Sequence, residues 1–437
     1  MFGIEIERGS TIRMEETMRS VGIICEYNPF HNGHARQLRL AREAMGEDCA
    51  VVCLMSGNYV QRGEPAIFPK QLRAEAAVLG GADLVLELPL TAALSSAEGF
   101  ADRGVAILTD LGCEALCFGA ETDDENLIMS TARANLDPAF DALLRRELEG
   151  GCSYAAARQR ALESLGAGEG VCSPNDILAV EYLKALLRQN SPMKPLPIRR
   201  PGSYHADTLD PEAPSATALR AALASACRGG HWPPADPAAF HICHSERSEE
   251  SVPPVSEPLW AAAVPSCLHE LYENAPLHTW QAGERAVLAI LRTLPEDAFR
   301  QLPFGAEGLW SKLMKNCRRR ASAAEILEST VSKRYARTRI QRMLLCAVLG
   351  LRAEDLSRPA PYARILGFRD RGRALLREGK ARFPLVNAGE RPADAAYYAL
   401  ETRASDLYSL FSAAGPRMAG EEDRLRVCVL PDAQPKI

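Results

Sequence analysis

Two histidines, His31 and His34, stand around Gly33 in the stretch EYNPFHNGH, and their types and spacing suggest phosphate chemistry. They follow an apolar run, VGIICE from Val21, and open a segment of helical period from Gly33 to Met45. A helix that starts just after a strand offers free N–H groups and a partial positive charge, and phosphate uses both. Gly33 removes a side chain where a nucleotide would come close. Histidines three apart on a first turn project together, and can donate hydrogen bonds to phosphate oxygens as charge builds during displacement. The same residues would also make a plain Asn-Pro turn with capping histidines, and the stretch alone leaves both readings open. A metal site is a weaker third reading, because two histidines leave the shell incomplete. With one glycine in the turn, the GxGxxG dinucleotide fingerprint is absent.

Such a turn needs a sheet to position it. Short apolar runs alternate with helical segments: VGIICE, CAVVCLM, ADLVLELP and CEALCFG read as strands one to four, and MKPLPIRR as a fifth. This pattern predicts an α/β fold with a doubly wound parallel sheet, in which ligands bind at the carboxyl ends of the strands. Between strands four and five, Asp124 to Leu165 turns helical. SPNDILAVEYLKALLRQ then reads as a capped helix with Ser173 at the N-cap and Pro174 at the first position. The sheet domain is expected to span 18–228. Residues 1–17 read as a disordered extension, with no apolar run long enough for a signal peptide or membrane span. Residues 229–258 are rich in Pro, Ser and Glu and read as a flexible insertion; the spacing of His231, His241, Cys243 and His244 there is too irregular for zinc. The remainder, 259–437, is expected to be a mainly helical domain.

The 437 residues carry a formal net charge of -5, with 47% hydrophobic and 24% charged residues. That is ordinary for a soluble protein, with enough chain for two cores. The 13 cysteines form no CxxC pairs, and several, including Cys25, Cys49, Cys53 and Cys117, lie in apolar runs. They read as reduced core thiols of a cytoplasmic protein. Between Lys312 and Arg342 the balance reverses, with ten Lys or Arg against two Glu. A local excess of this kind favours a nucleic-acid backbone as partner, and Tyr335 within it could stack on a base.

EYNPFHNGH, MSGNYVQRGEPAIFPK, GADLVLELP, CEALCFGAE, SPNDILAVEYL and MKPLPIRR occur in this order. Together they resemble the tRNA(Met) cytidine acetate ligase family, a branch of the HxGH nucleotidyltransferases, from about Val21 to the C-terminus apart from the insertion. The resemblance implies that ATP and acetate give acetyl-adenylate and pyrophosphate. The exocyclic amine of the wobble cytidine in elongator tRNA(Met) then takes the acetyl group, forming N4-acetylcytidine and releasing AMP.

By the same resemblance His31 and His34 act on the triphosphate and its transition state. Ile24, Cys25, Glu26, Tyr27, Asn28, Pro29, Phe30, Asn32, Gly33, Ala35, Arg36 and Gln37 frame ATP, and Gly119, Asn175 and Arg200 complete the pocket, with Arg199 as the alternative to Arg200. PSATALR resembles the segment that contacts the β and γ phosphates, which nominates Ser215, Thr217 and Arg220; a plain N-cap is its other reading. Lys70 and Arg73, after the QRGEP loop, are candidates for phosphate or tRNA contact, or for a solvated helix start. Lys315, Arg318, Arg319, Arg320, Lys333, Arg334, Arg337, Arg339 and Arg342 are the candidates for tRNA. Mg²⁺ is expected from triphosphate chemistry, although no carboxylate cluster marks its seat. Neither a membrane nor DNA is expected as a partner. Two other readings compete: a small-molecule adenylyltransferase making a dinucleotide cofactor, which would not need the basic half, and a non-catalytic tRNA-binding protein, against which the intact His31, Gly33 and His34 speak.

Overall fold

The computed structural model describes residues 18–152, 154–167, 171, 173–200, 209–210, 214–228, 258–332, 335–379 and 381–431. The expected extension at 1–17, nearly all of the expected insertion at 229–258, and Lys333 and Arg334 lie outside the described residues. The described chain builds one eight-stranded sheet: β1 Ser20–Cys25, β2 Ala50–Ser56, β3 Leu84–Leu88, β4 Ala115–Ala120, β5 Lys194–Arg199, β6 Ala363–Phe368, β7 Leu385–Asn387 and β8 Cys428–Val429. Across the sheet the order is β8-β6-β3-β2-β1-β4-β5, with β7 paired to β6. From β3 to β5 all neighbours are parallel, and β1 lies between β2 and β4, with Val21 opposite both Val51 and Ala115. The chain order reverses at β1, so the carboxyl end of this strand is the place where a doubly wound sheet opens a crevice.

The first five strands are those the sequence predicts. Contrary to the expected domain boundary, however, the sheet does not stop at Arg228. β6 pairs antiparallel with β3, Leu84 opposite Phe368, and β7 and β8 extend the sheet beyond it. The C-terminal half is therefore part of the sheet as well as a helical layer. β3 is buried along its whole length and apolar apart from Glu87, and an open edge there would invite pairing with another chain; β6 closes it. ARILGF is too short an apolar run to be told from a buried helical turn by period alone, which is why the sequence reading passed over it.

Alternate residues of β1 point to opposite cores. Val21, Ile23 and Cys25 pack against α1 (Asn32–Met45) and α2 (Lys70–Leu79), whereas Ile24 packs against α3 (Ala97–Leu111) and α4 (Pro174–Arg188). Burying each such aliphatic side chain contributes about 1.5–3 kcal/mol. Helices Glu125–Asn135, Phe140–Glu149 and Tyr154–Ser164 fill the expected helical stretch between β4 and α4. Then come α5 (Ala216–Arg228), α6 (Leu309–Arg319), α7 (Arg337–Leu349) and α8 (Ala395–Tyr408), the last three sharing a separate helical core. Cys25, Cys49, Cys53 and Cys117 are buried free thiols.

Lys70 and Arg73, nominated for phosphate or tRNA, do neither in this fold. Lys70 Nζ lies 2.8 Å from Glu87 Oε2 and 2.5 Å from Glu422 Oε1, with all three side chains buried. Arg364 from β6 joins the same cluster through Glu401 at 3.1 Å and Glu422 at 3.3 Å. Burial alone would lower the Lys70 pKa, but Glu422 and Glu87 outweigh it and hold the ammonium protonated. Arg73 is fully buried and donates to the carbonyls of Phe68, Glu26, Ser56 and Gly57, tying α2 to the ends of β1 and β2. Both cations are spent inside the protein.

Candidate active site

The turn from β1 to α1 is held from several sides. Tyr27 adopts a left-handed conformation (φ 43) and the Asn28–Pro29 peptide bond is cis. Asn28 Oδ1 accepts from the Ile67 N–H at 2.7 Å, and the Asn28 carbonyl accepts from Arg220 at 2.8 Å. Phe30 is buried beneath the turn, and its carbonyl accepts from the Tyr272 hydroxyl at 3.0 Å. Asn32 donates to the Ala262 carbonyl. Pro29, Phe30, Asn32 and Ala35, expected to frame ATP, thus stand outside the cavity wall and anchor or pack the turn.

His31 is the N-cap of α1. Its Nδ1 accepts from the Gly33 N–H at 3.1 Å, while His34 Nδ1 accepts from the His31 N–H at 3.3 Å, a reciprocal capping box made by two imidazoles. Their rings stack at 3.7 Å with 21° between planes. The caps fix the tautomer: an Nδ1 that accepts cannot carry the proton, so each neutral ring bears it on Nε2. His31 Nε2 is buried with no partner among the described residues, leaving a donor for a ligand. Burial, followed by the charges of Arg200 and Arg220, pushes the His31 pKa down to about 3. Burial, His31 and Arg200 hold His34 well below its usual value too. Both rings are neutral donors at physiological pH.

These groups open onto a cavity of about 680 Å³ at the carboxyl ends of β1, β4 and β5. Ile24, Cys25, Glu26, Tyr27 and Asn28 line it along β1 and the turn, with Gly33, Arg36 and Gln37 from α1. Gly119 closes β4, and a Cβ there would stand 2.8 Å from Arg200 Cδ, so the glycine is what lets Arg200 lie across the strand end. Arg200 donates to Asn175 Oδ1 at 3.1 Å, and Asn175 donates to Glu121 at 2.7 Å. Asn175 is held by the start of α4, where Ser173 caps the Asp176 N–H and Asp176 in turn accepts from the Glu121 N–H. Arg199 is mostly exposed and pairs with Asp123 at 2.8 Å. Both arginines border the cavity, but Arg200 is the one hydrogen-bonded to Asn175 there.

The start of α5 brings Ser215, Thr217 and Arg220, nominated through the resemblance, to the same cavity. Ser215 Oγ accepts from the Ala218 N–H, and Arg220 donates to Thr217 at 3.2 Å. The N-termini of α1 and α5 therefore face one space. Phe100, Phe118, Ile177, Leu178 and Tyr182 form an apolar wall suited to a flat base. Six arginines line the cavity against three glutamates among the described residues, a balance that suits a polyanion.

The wall opposite comes from residues that sequence reasoning did not assign to the ATP site. Val60, Gln61, Arg62 and Glu64 belong to a short hairpin after β2, and Thr338 and Arg342 come from α7. The QRGEP loop was visible as a motif, but nothing in its composition says which of its residues face inward. Arg342, expected on the tRNA surface, is buried in this wall. Arg339 is likewise turned inward, donating to the Phe304 carbonyl at 2.9 Å and lying over the Tyr335 ring. Arg337 pairs with Glu328. Lys315, Arg318, Arg319 and Arg320, at the end of α6, are exposed, and none pairs with a carboxylate among the described residues.

With this geometry in hand, comparison with known proteins is direct. The family model described as HIGH Nucleotidyl Transferase matches residues 18–423. The tRNA(Met) cytidine acetate ligase of Acetivibrio thermocellus is 34% identical over 386 residues, covering 84% of this chain and 88% of that protein. The chain belongs to the tRNA(Met) cytidine acetate ligase family of HIGH nucleotidyltransferases. Another member, from Caldicellulosiruptor saccharolyticus, is 33% identical and covers 90% of this chain and 94% of its own. The family's crystal structures include Thermotoga maritima TmcAL without ligand, with a TM-score of 0.79 and 27% identity over 95% of this chain and all of that one. The same protein bound with alpha-thio ATP matches with a TM-score of 0.76, 26% identity and the same coverage.

Proposed function

We propose that this chain is an ATP-dependent ligase that joins acetate to the wobble cytidine of elongator tRNA(Met), through an acetyl-adenylate. The observation that carries the reading is the pair of neutral imidazoles, each fixed with its proton on Nε2, beside Arg200, Arg220 and two helix N-termini. In the first step an acetate oxygen attacks the α-phosphorus in line; the new P–O bond forms as the bond to the β-phosphate oxygen breaks, and pyrophosphate leaves. No enzyme nucleophile is needed, so positioning and charge stabilisation carry the catalysis. His31 and His34 donate to the phosphates, Arg200 and Arg220 balance the growing charge, and Ser215 and Thr217 meet the outer phosphates. The apolar wall holds adenine. In the second step the cytidine amine attacks the acetyl carbonyl, the bond to AMP breaks with its electron pair, and the amine gives up a proton.

Mg²⁺ is expected to arrive with the triphosphate. The described residues hold no group of three His, Cys, Asp or Glu able to seat a metal, so no step is assigned to a resident ion. Lys315, Arg318, Arg319 and Arg320 are proposed to meet the tRNA backbone. No described helix is long and apolar enough to cross a membrane, and the substrate argues for a cytoplasmic protein.

The test is incubation with ATP, isotopically labelled acetate and elongator tRNA(Met) transcript, followed by mass spectrometry of the nucleosides. Labelled N4-acetylcytidine with AMP release is expected. Turnover of a mononucleotide in place of acetate, with no labelled cytidine, would point to the small-molecule adenylyltransferase instead.

A further inference from the structure

Arg342 is a buried charge that its neighbours leave unanswered. Its residue is 8% exposed, yet no carboxylate pairs with it among the described residues, and its Nε has no hydrogen-bond partner. Its contacts are neutral. The guanidinium lies over the Phe304 ring at 5.1 Å, and Nη1 reaches the Gln61 carbonyl at 3.4 Å. The Gln61 amide best satisfies its surroundings with its oxygen accepting from Arg342 Nη1 at 3.1 Å and from the Ala97 N–H at 3.3 Å. The hairpin is pressed against α7 at this point: a Cβ on Gly63, whose φ is +81, would stand 2.6 Å from the Arg342 backbone nitrogen. Burial, with the charge of Arg339 adding to it, lowers the Arg342 pKa to about 10, so the group stays protonated at neutral pH. An unpaired buried cation is costly to keep, and this one borders the catalytic cavity.

We propose that Arg342, with Gln61 and the positive end of α3, forms the carboxylate site that holds the small acid attacking ATP. The inference rests on the ligase reading above. A planar guanidinium matches a carboxylate with two parallel hydrogen bonds. Gln61 joins Arg342 to Ala97 at the start of α3, a fifteen-residue helix whose dipole favours an anion. Val60, Ala97 and Phe100 supply an apolar lining for a methyl group. The site is recessed, unlike exposed Lys315 and Arg318 to Arg320, which suits a two-carbon acid better than a polynucleotide backbone.

The test is acetate-dependent exchange of labelled pyrophosphate into ATP by wild type, Arg342→Met and Arg342→Lys. Arg342→Met is expected to raise the acetate concentration for half-maximal exchange by about tenfold or more, the scale of a lost charge-assisted pair. The ATP requirement and tRNA affinity stay within about twofold, a change worth little on the same scale. Supplied with preformed acetyl-adenylate, the variant acetylates tRNA at close to the wild-type rate. Arg342→Lys keeps the charge and much of the packing on Phe304 but loses the planar fork, and it carries the test if the Met variant fails to fold; its acetate requirement still rises. Unchanged acetate dependence in either folded variant overturns the proposal, as does weakened tRNA binding alone, which would make Arg342 a phosphodiester contact. Absence of acetate-dependent exchange in the wild type would instead overturn the ligase reading itself.

Discussion

Lys70 and Arg342 are both cations shut away from solvent, and their surroundings treat them in opposite ways. Around Lys70 and Arg364 the protein places Glu87, Glu401 and Glu422, so that both positive charges are met at 3.3 Å or less. Around Arg342 it places an aromatic ring, an amide and open cavity. The histidines follow the second pattern: their Nδ1 atoms are used by the helix cap, and His31 Nε2 has no partner among the described residues. A closed cluster does structural work because nothing is left over to bind. A group whose hydrogen-bonding capacity is left open at a cavity wall is available to substrate. Residue type alone does not separate the two; partners do.

The largest effect expected from breaking this contrast is on the closed cluster. Lys70→Met leaves Glu87 and Glu422 buried without their shared cation, and should destabilise the fold by about 3–5 kcal/mol, read from urea or thermal unfolding. His31→Asn tests the open side. Asparagine remains a good N-cap, so stability should change little, but the Nε2 donor is lost, and pyrophosphate exchange should fall by about 10²–10³-fold. The smallest effect concerns pH. Burial first, then Glu87 and Glu422, push the Glu401 carboxyl up to about 7. A raised carboxyl pKa favours the protonated folded state, so its stabilisation is complete below about pH 4.5 and is lost as pH rises through 7. Glu401→Gln should remove that decline, roughly 2 kcal/mol between pH 5 and pH 7.5, visible as a flatter plot of unfolding midpoint against pH.

Much of the catalytic half was legible in the sequence because its signals are local. An apolar run, a turn and a cap occupy a few adjacent residues, and the five predicted strands and the helix starts at Pro174 and just after Ser215 were found on that basis. Gly119 and Arg200 were nominated through family resemblance, and the structure gives the local reason for both in one contact. The larger failures are non-local. Lys70 looks like a solvated helix start until Glu422, far along the chain, is folded onto it. Arg339 and Arg342 belong to a basic stretch, yet α7 turns both inward, onto Phe304 and the hairpin. Charge counted along the chain therefore located the basic region but could not tell its exposed end, at α6, from its buried end. β6 escaped for the same reason, since its partner β3 is remote in sequence.

That remote pairing bears on how the protein is made. Leu84 leaves the ribosome well before Phe368, so during synthesis β3 has parallel β2 on one side and an open edge on the other. Contacts between residues so distant along the chain form late and slowly. The unfinished sheet is therefore exposed to mispairing until the C-terminal strands arrive, and a chain cut before Ala363 would keep that exposed edge permanently. The segment that completes the sheet thus also serves as its own guard against aggregation.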